Sequence, residues 1–136
     1  MQKLYGSAIC LLSERYKQIN EYKLAKEHVY QAMQIFEDIG DTHGTAQCLQ
    51  SLGNVLRMTY QYPQATVNLE KAIQMFEDIG HTLGVAQCLQ SLGDVLQMTY
   101  QYSETTVNLE KARQIFEDIG DTHGVAQCLQ SLGDVL

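Results

Sequence analysis

The chain has 136 residues and a 45% hydrophobic fraction, enough for a compact core and too apolar for a globally disordered chain. Its net charge of −7 is uneven: residues 1–40 balance five basic against five acidic side chains, while residues 41–136 set Arg57, Lys71, Lys111 and Arg113 against eleven acids. An array this acidic repels phosphate backbones, so nucleic acid is excluded as a natural partner and a basic or neutral polypeptide is favoured.

No apolar run reaches membrane-spanning length and no charged-then-apolar leader opens the chain, so the expectation is a cytoplasmic protein without membrane insertion or export. Of the four cysteines, Cys48, Cys88 and Cys128 recur at one repeat position and Cys10 does not. Equivalent positions of a repeat array lie about one repeat apart, too far for a disulfide, so the thiols read as reduced and half-buried.

The chain repeats itself with a period of 40: AQCLQSLGNVL at 46–56 returns as AQCLQSLGDVL at 86–96 and 126–136, and VNLEKAIQMFEDIG at 67–80 as VNLEKARQIFEDIG at 107–120. This divides it into units 1–42, 43–82, 83–122 and a truncated 123–136. The first unit is divergent, with Leu12, Tyr16, Tyr22, Ala25, Val29, Ala32 and Phe36 in register with Leu52, Leu56, Tyr62, Ala65, Leu69, Ala72 and Phe76. Its extra tyrosines suit an end unit of a stack.

In chain order, each unit predicts two helices. Helix A spans 43–59 and 83–99, with an apolar stripe of Cys48, Leu49, Leu52, Val55 and Leu56. Tyr60-Gln61-Tyr62 and Tyr100-Gln101-Tyr102 form tight turns into helix B. Helix B spans 63–79, with Pro63 in its first turn and a stripe of Ala65, Leu69, Ala72, Phe76 and Ile79. Ser103 takes the place of Pro63 as a candidate cap. Gly40, Gly80 and Gly120 follow helix B, where a left-handed residue is wanted. Asp41 and Asp121 then cap the next helix, and His81 in the same place should cap less well.

These residues resemble the tetratricopeptide repeat. Leu49 stands where the family often has tryptophan, Leu52-Gly53 match its Leu-Gly pair, Leu56 replaces a tyrosine, and Tyr62, Ala65, Leu69 and Ala72 match its helix B positions. The set returns at Leu89, Leu92-Gly93, Leu96, Tyr102, Leu109 and Ala112, with Thr105 departing from alanine and Ser13 replacing the glycine of unit one. The resemblance implies an all-α, right-handed α-solenoid of antiparallel helix pairs, about seven helices in all, with the A helices lining the concave surface. The period of 40 exceeds the family's usual value of about 34. It is similar to a longer variant found in spindle-orientation adaptors with Leu-Gly-Asn motifs, which Leu52-Gly53-Asn54 reproduces, and to repeat arrays of fungal nucleotide-binding immune-type receptors.

The candidate peptide-binding face is the helix A stripe opposite the apolar one: Gln47, Gln50, Ser51, Asn54, Arg57 and Met58, then Gln87, Gln90, Ser91, Asp94, Gln97 and Met98, with Asp134 in the last unit. Amides and hydroxyls bond a peptide backbone without demanding charge, and methionines adapt to apolar side chains. The resemblance implies that Asn54 holds a peptide backbone; Asp94 and Asp134 at the same register favour a basic group. Units two and three differ at two of these positions (54/94, 57/97) and in loops and at helix starts (63/103, 64/104, 81/121, 83/123), while core positions barely change. The expectation is a protein-interaction scaffold within a larger signalling or receptor protein. The alternative is a self-association element, in which Leu129, Leu132, Val135 and Leu136 lack cover and form homo-oligomer contacts.

No enzyme, metal or cofactor is expected. His43 and Cys48, like His123 and Cys128, are spaced i, i+5, which puts them on different helix faces. Glu37-Asp38, Glu77-Asp78 and Glu117-Asp118 form a solvated acidic edge at the ends of the B helices, without a pocket for acid–base chemistry.

Overall fold

The computed structural model describes residues 2–18 and 21–135. These form seven helices: α1 (Gln2–Gln18), α2 (Tyr22–Ile39), α3 (Thr42–Met58), α4 (Tyr62–Asp78), α5 (Thr82–Met98), α6 (Tyr102–Ile119) and α7 (Thr122–Val135). The odd-numbered helices are the A helices and the even-numbered ones the B helices. The interior A helices α3 and α5 pack on the B helix that follows and on the one that precedes, while α1 packs on α2 alone and α7 on α6 alone, which builds an all-helical solenoid among the described residues. Successive A helices also touch, α1 with α3, α3 with α5 and α5 with α7; no two B helices approach closely among the described residues. The A row is therefore the inner side of the array.

The B stripe is the keel of the core. Ala65, Leu69, Ala72 and Phe76 are buried, as are Ala25, Val29, Ala32 and Phe36 in unit one. The alternation of small and large residues lets the A helices close in on both sides. The predicted stripe ends at Phe76: Ile79 is 42% exposed, and Ile39 and Ile119 at the same register are exposed too, although those two still lie within α2 and α6. Thr105 takes an alanine position without loss, its hydroxyl donating to the Gln101 carbonyl at 2.8 Å.

The punctuation follows from the backbone. Gly40, Gly80 and Gly120 take φ of 72°, 74° and 79°, the left-handed conformation that a glycine adopts without a Cβ penalty. The amides of Asp41 and His81 then bond back to the Phe36 and Phe76 carbonyls at 2.9 Å. Asp41 and Asp121 cap α3 and α7, each accepting from the glycine amide three residues on at 2.9 Å. His81 does the same through Nδ1 at 3.0 Å. Ser103 does not cap α6; the N-cap is Gln101 and Ser103 lies inside the helix. At the A-to-B turns the left-handed residue is an aromatic, Tyr60 at φ 63° and Tyr100 at φ 64°.

The two ends differ from the interior. Leu12 is 43% exposed, although its register partner Leu52 is buried, because Leu52 is covered by the B helix of the preceding unit and Leu12 has no such helix among the described residues. At the other end Leu129 is 53% exposed, against 8% for Leu89. Leu132, expected to lack cover, is buried, because it shares with Cys128 the face that packs on α6. Val135 is half-buried, and Leu136 lies outside the described residues. No helix among the described residues is long and apolar enough to cross a membrane.

Candidate functional site

The A-helix face is not a free polar surface. Because neighbouring A helices touch, the side chains expected opposite the core are shared between units. Gln50 Nε2 donates to Gln87 Oε1 at 3.1 Å, and Gln90 Nε2 to Gln127 Oε1 at 3.3 Å. Ser51 Oγ donates to Glu14 Oε1 at 2.9 Å, and Lys17 holds the other carboxylate oxygen at 2.8 Å. The partners lie 37 residues apart, so contacts across the A row run three residues short of the period.

Position 14/54/94/134 and the serine at 51/91/131 make one rung per unit. Glu14 bonds Ser51, and Asp94 is bonded by the Ser131 hydroxyl. Between them the rung is open. Asn54 Oδ1 is buried and accepts no hydrogen bond from any described residue, and Arg57 Nε beside it is also unpaired. A buried acceptor left unmade costs about 1–3 kcal/mol, so this rung is where a donor from outside gains most.

Charge varies along the row. Burial pushes the Asp94 carboxyl above its ordinary value, opposed by the Arg57 guanidinium and the Ser131 hydroxyl and reinforced by the Asp134 charge. Asp134 itself is exposed.

Two grooves flank these residues. One, of about 460 Å³, lies between α1 and α3. Gln47, Gln50, Ser51 and Asn54 form one wall, and Ser7, Cys10, Leu11 and Glu14 the other. Four predicted residues thus converge with a wall from unit one that the sequence reading did not assign. The 40-residue register does carry its signal, since Glu14 aligns with Asn54 and Cys10 with Gln50. The second groove, of about 580 Å³, lies on the B side, with Tyr30, Met33 and Met75 around a floor of Phe36, Leu49 and Leu52. Nothing in the sequence reading pointed there.

The remaining predicted residues lie further along the row. Gln87 is exposed, Gln90, Ser91 and Gln97 are half-buried, and the exposed Met58 and Met98 sit at the helix ends outside the first groove. His43 packs against His81 with ring centroids 4.7 Å apart and the rings tilted by 58°, and meets Phe76 edge-on. No group of three or more His, Cys, Asp or Glu side chains is placed to hold a metal among the described residues.

A family profile described as tetratricopeptide repeat matches residues 8–78. The chain belongs to the tetratricopeptide repeat family. A search of curated proteins returns no match. Among solved structures, the chain is similar to aspartyl phosphate phosphatase F from Bacillus subtilis, with a TM-score of 0.94 at 17% identity over 99% of this chain and 36% of that one. It is similar to a Rap protein complexed with competence and sporulation factor, with a TM-score of 0.91 at 18% identity over 99% of this chain and 38% of that one. A tetratricopeptide-like protein from Chlorobium tepidum gives 0.78 at 15% identity, covering 99% of both chains. The chain spans under two fifths of the length of the first two, and identities this low show the fold alone.

Proposed function

We propose that this chain is a protein-interaction scaffold whose A-helix row holds an extended peptide or a helix of a partner protein. The observation that carries the reading is Asn54. Its buried oxygen is the open rung of an otherwise bonded row and sits on the wall of the α1–α3 groove. A turn of the Asn54 side chain into the groove would present that oxygen to a peptide N–H and complete the row. Glu14, Asp94 and Asp134 at the same register favour basic side chains flanking that contact. The resemblance to adaptor and receptor arrays supports a setting in a larger cytoplasmic signalling protein, and a similar fold solved in complex with a factor supports a bound partner.

The test is a fluorescent peptide library of basic, neutral and acidic members titrated against the full chain and an Asn54→Ala, Arg57→Ala, Asp94→Ala variant. Basic or neutral peptides should bind the parent and lose at least tenfold in affinity on the variant, whose melting temperature should be no lower than the parent's. Equal binding to both proteins removes the A-row reading.

A second reading, self-association, is favoured by Leu129, which is 53% exposed beside the uncovered Ala126 and Gly133. Sedimentation of the parent against Leu129→Lys distinguishes it: an assembly that the substitution disperses supports this reading, and a monomer at all concentrations removes it.

A further inference from the structure

Cys10 on α1 and Cys48 on α3 bring their sulfurs to 3.5 Å. All four cysteines are free thiols. We propose that this pair is a site of oxidative modification: Cys10 takes a low-molecular-weight disulfide of the glutathione type, and Cys48 resolves it to an intramolecular cross-link between the first two A helices. This inference does not depend on peptide binding in the groove.

Three features carry it. The first is distance: a disulfide needs the sulfurs about 1.5 Å closer than they stand, within reach of side-chain rotation and a small helix shift. The second is access. Cys10 is half-buried and lines the α1–α3 groove, whereas Cys48 is fully buried behind it. A reagent therefore meets Cys10 first, and Cys48 needs to reach only the Cys10 sulfur. The third is an internal control built into the repeat. The register that places Cys10 against Cys48 places Gln50 against Cys88 and Gln90 against Cys128, so only the first pair is two thiols.

The electrostatics agree with this order of events. The contact with Cys48, in which either sulfur can donate, holds Cys10 below the ordinary thiol value, against the opposing effects of burial and of the Glu14 charge. Cys48 is correspondingly raised, chiefly by that same contact and then by burial. Burial alone pushes Cys88 up to about 12, and burial chiefly pushes Cys128 up to about 11.

The chemistry balances without a further reactant. The Cys10 thiolate attacks one sulfur of oxidised glutathione, a mixed disulfide forms, and one glutathione thiolate leaves. The adduct ends the thiol–thiol contact, which is the main cause of the raised Cys48 value. Cys48 gives up its proton and attacks the Cys10 sulfur, which expels the second glutathione. Two protein thiols are oxidised, one glutathione disulfide is reduced to two thiols, and the two protons end on the released glutathione. Excess reduced glutathione runs the sequence backwards.

The test treats the reduced full chain with oxidised glutathione, blocks the remaining thiols by alkylation, and maps the peptides by mass. A Cys10–Cys48 link is expected, with Cys88 and Cys128 alkylated only after unfolding. The melting temperature should rise on the order of 5 °C on oxidation and return on reduction. Cys48→Ala should stop at a glutathione adduct on Cys10, and Cys10→Ser should give neither adduct nor link. Gln50→Cys leaves the native core intact and should add a second link, to Cys88, which keeps the test decisive if Cys48→Ala fails to fold. A native chain that stays reduced, that stops at the Cys10 adduct, or that links Cys88 or Cys128 as readily as Cys48 overturns the proposal. So does a Gln50→Cys chain with no second link.

Discussion

Gly53 on α3 and Leu69 on α4 meet with no room for a methyl group: a Cβ on Gly53 would stand 2.7 Å from Leu69 Cγ. Gly93 and Leu109 repeat the contact at 2.9 Å. In unit one the same register pairs Ser13 with the smaller Val29, and the Ser13 hydroxyl donates to the Ala25 carbonyl at 2.7 Å. The chain thus carries two solutions to one packing problem. Gly53→Ala should cost about 1–3 kcal/mol by overpacking, and Leu69→Val should recover part of that in the double variant. Urea melts of the four proteins in the cycle check the coupling; additive effects would contradict the contact.

Tyr60 and Tyr100 hold left-handed backbone that side chains other than glycine adopt at a cost. Both rings are largely exposed, at 77% and 78%, and each leans edge-on against the tyrosine two residues later. Relief of the backbone outweighs a solvent-exposed ring contact. Tyr60→Gly should therefore raise stability by about 0.5–1 kcal/mol, measured as a shift in urea midpoint at constant slope.

His81 caps α5 through Nδ1 and packs its ring on Phe76 and His43. His81→Ala removes cap and ring together and should cost about 1–2 kcal/mol. Circular dichroism melts against the parent measure it. No loss would mean that the imidazole contributes nothing to the start of the helix.

Asp94 and Asp41 respond to acid in opposite directions. The Gly44 amide bonds Asp41 and holds its carboxyl below its ordinary value, despite some burial, with Lys3 and His43 adding to the effect. Its contribution is present above the unfolded value and is lost as pH falls through the folded one. Burial raises Asp94, so its contribution is full below the unfolded value and is lost as pH rises through the folded one. Asp94→Asn should raise the urea midpoint at about pH 7 and give no gain at about pH 3, where the parent carboxyl is protonated. A gain of equal size at both pH values would show that the charge is not the cause.

The helices, their order and their glycine punctuation were legible because each depends on residues close in sequence. The 3.6-residue stripe from Ala65 to Phe76 needs only local periodicity to be read. The polar character of the candidate A-row face was legible in composition, but its pairing was not. A period of 40 aligns Cys10 with Gln50, whereas the contacts run from Cys10 to Cys48 and from Glu14 to Ser51. That offset of two or three residues is set by how one A helix leans on the next, which no single unit encodes. Leu132 was misjudged for a related reason. Its cover comes from the preceding helix, α6, and not from a following one.

The contact of A helix with A helix, and the gap between B helix and B helix, also set how the molecule deforms. The inner edge is stitched by amide and hydroxyl bonds from unit to unit, while the outer edge has no stitches of its own among the described residues. Such an array behaves like an accordion pinned along one side. Its pleats fan open at the back at low cost, while the pinned edge keeps its length. Curvature is therefore the soft coordinate of this protein and the spacing of rungs the stiff one, so anything that grips several rungs meets a ruler of fixed graduations on a backing that bends.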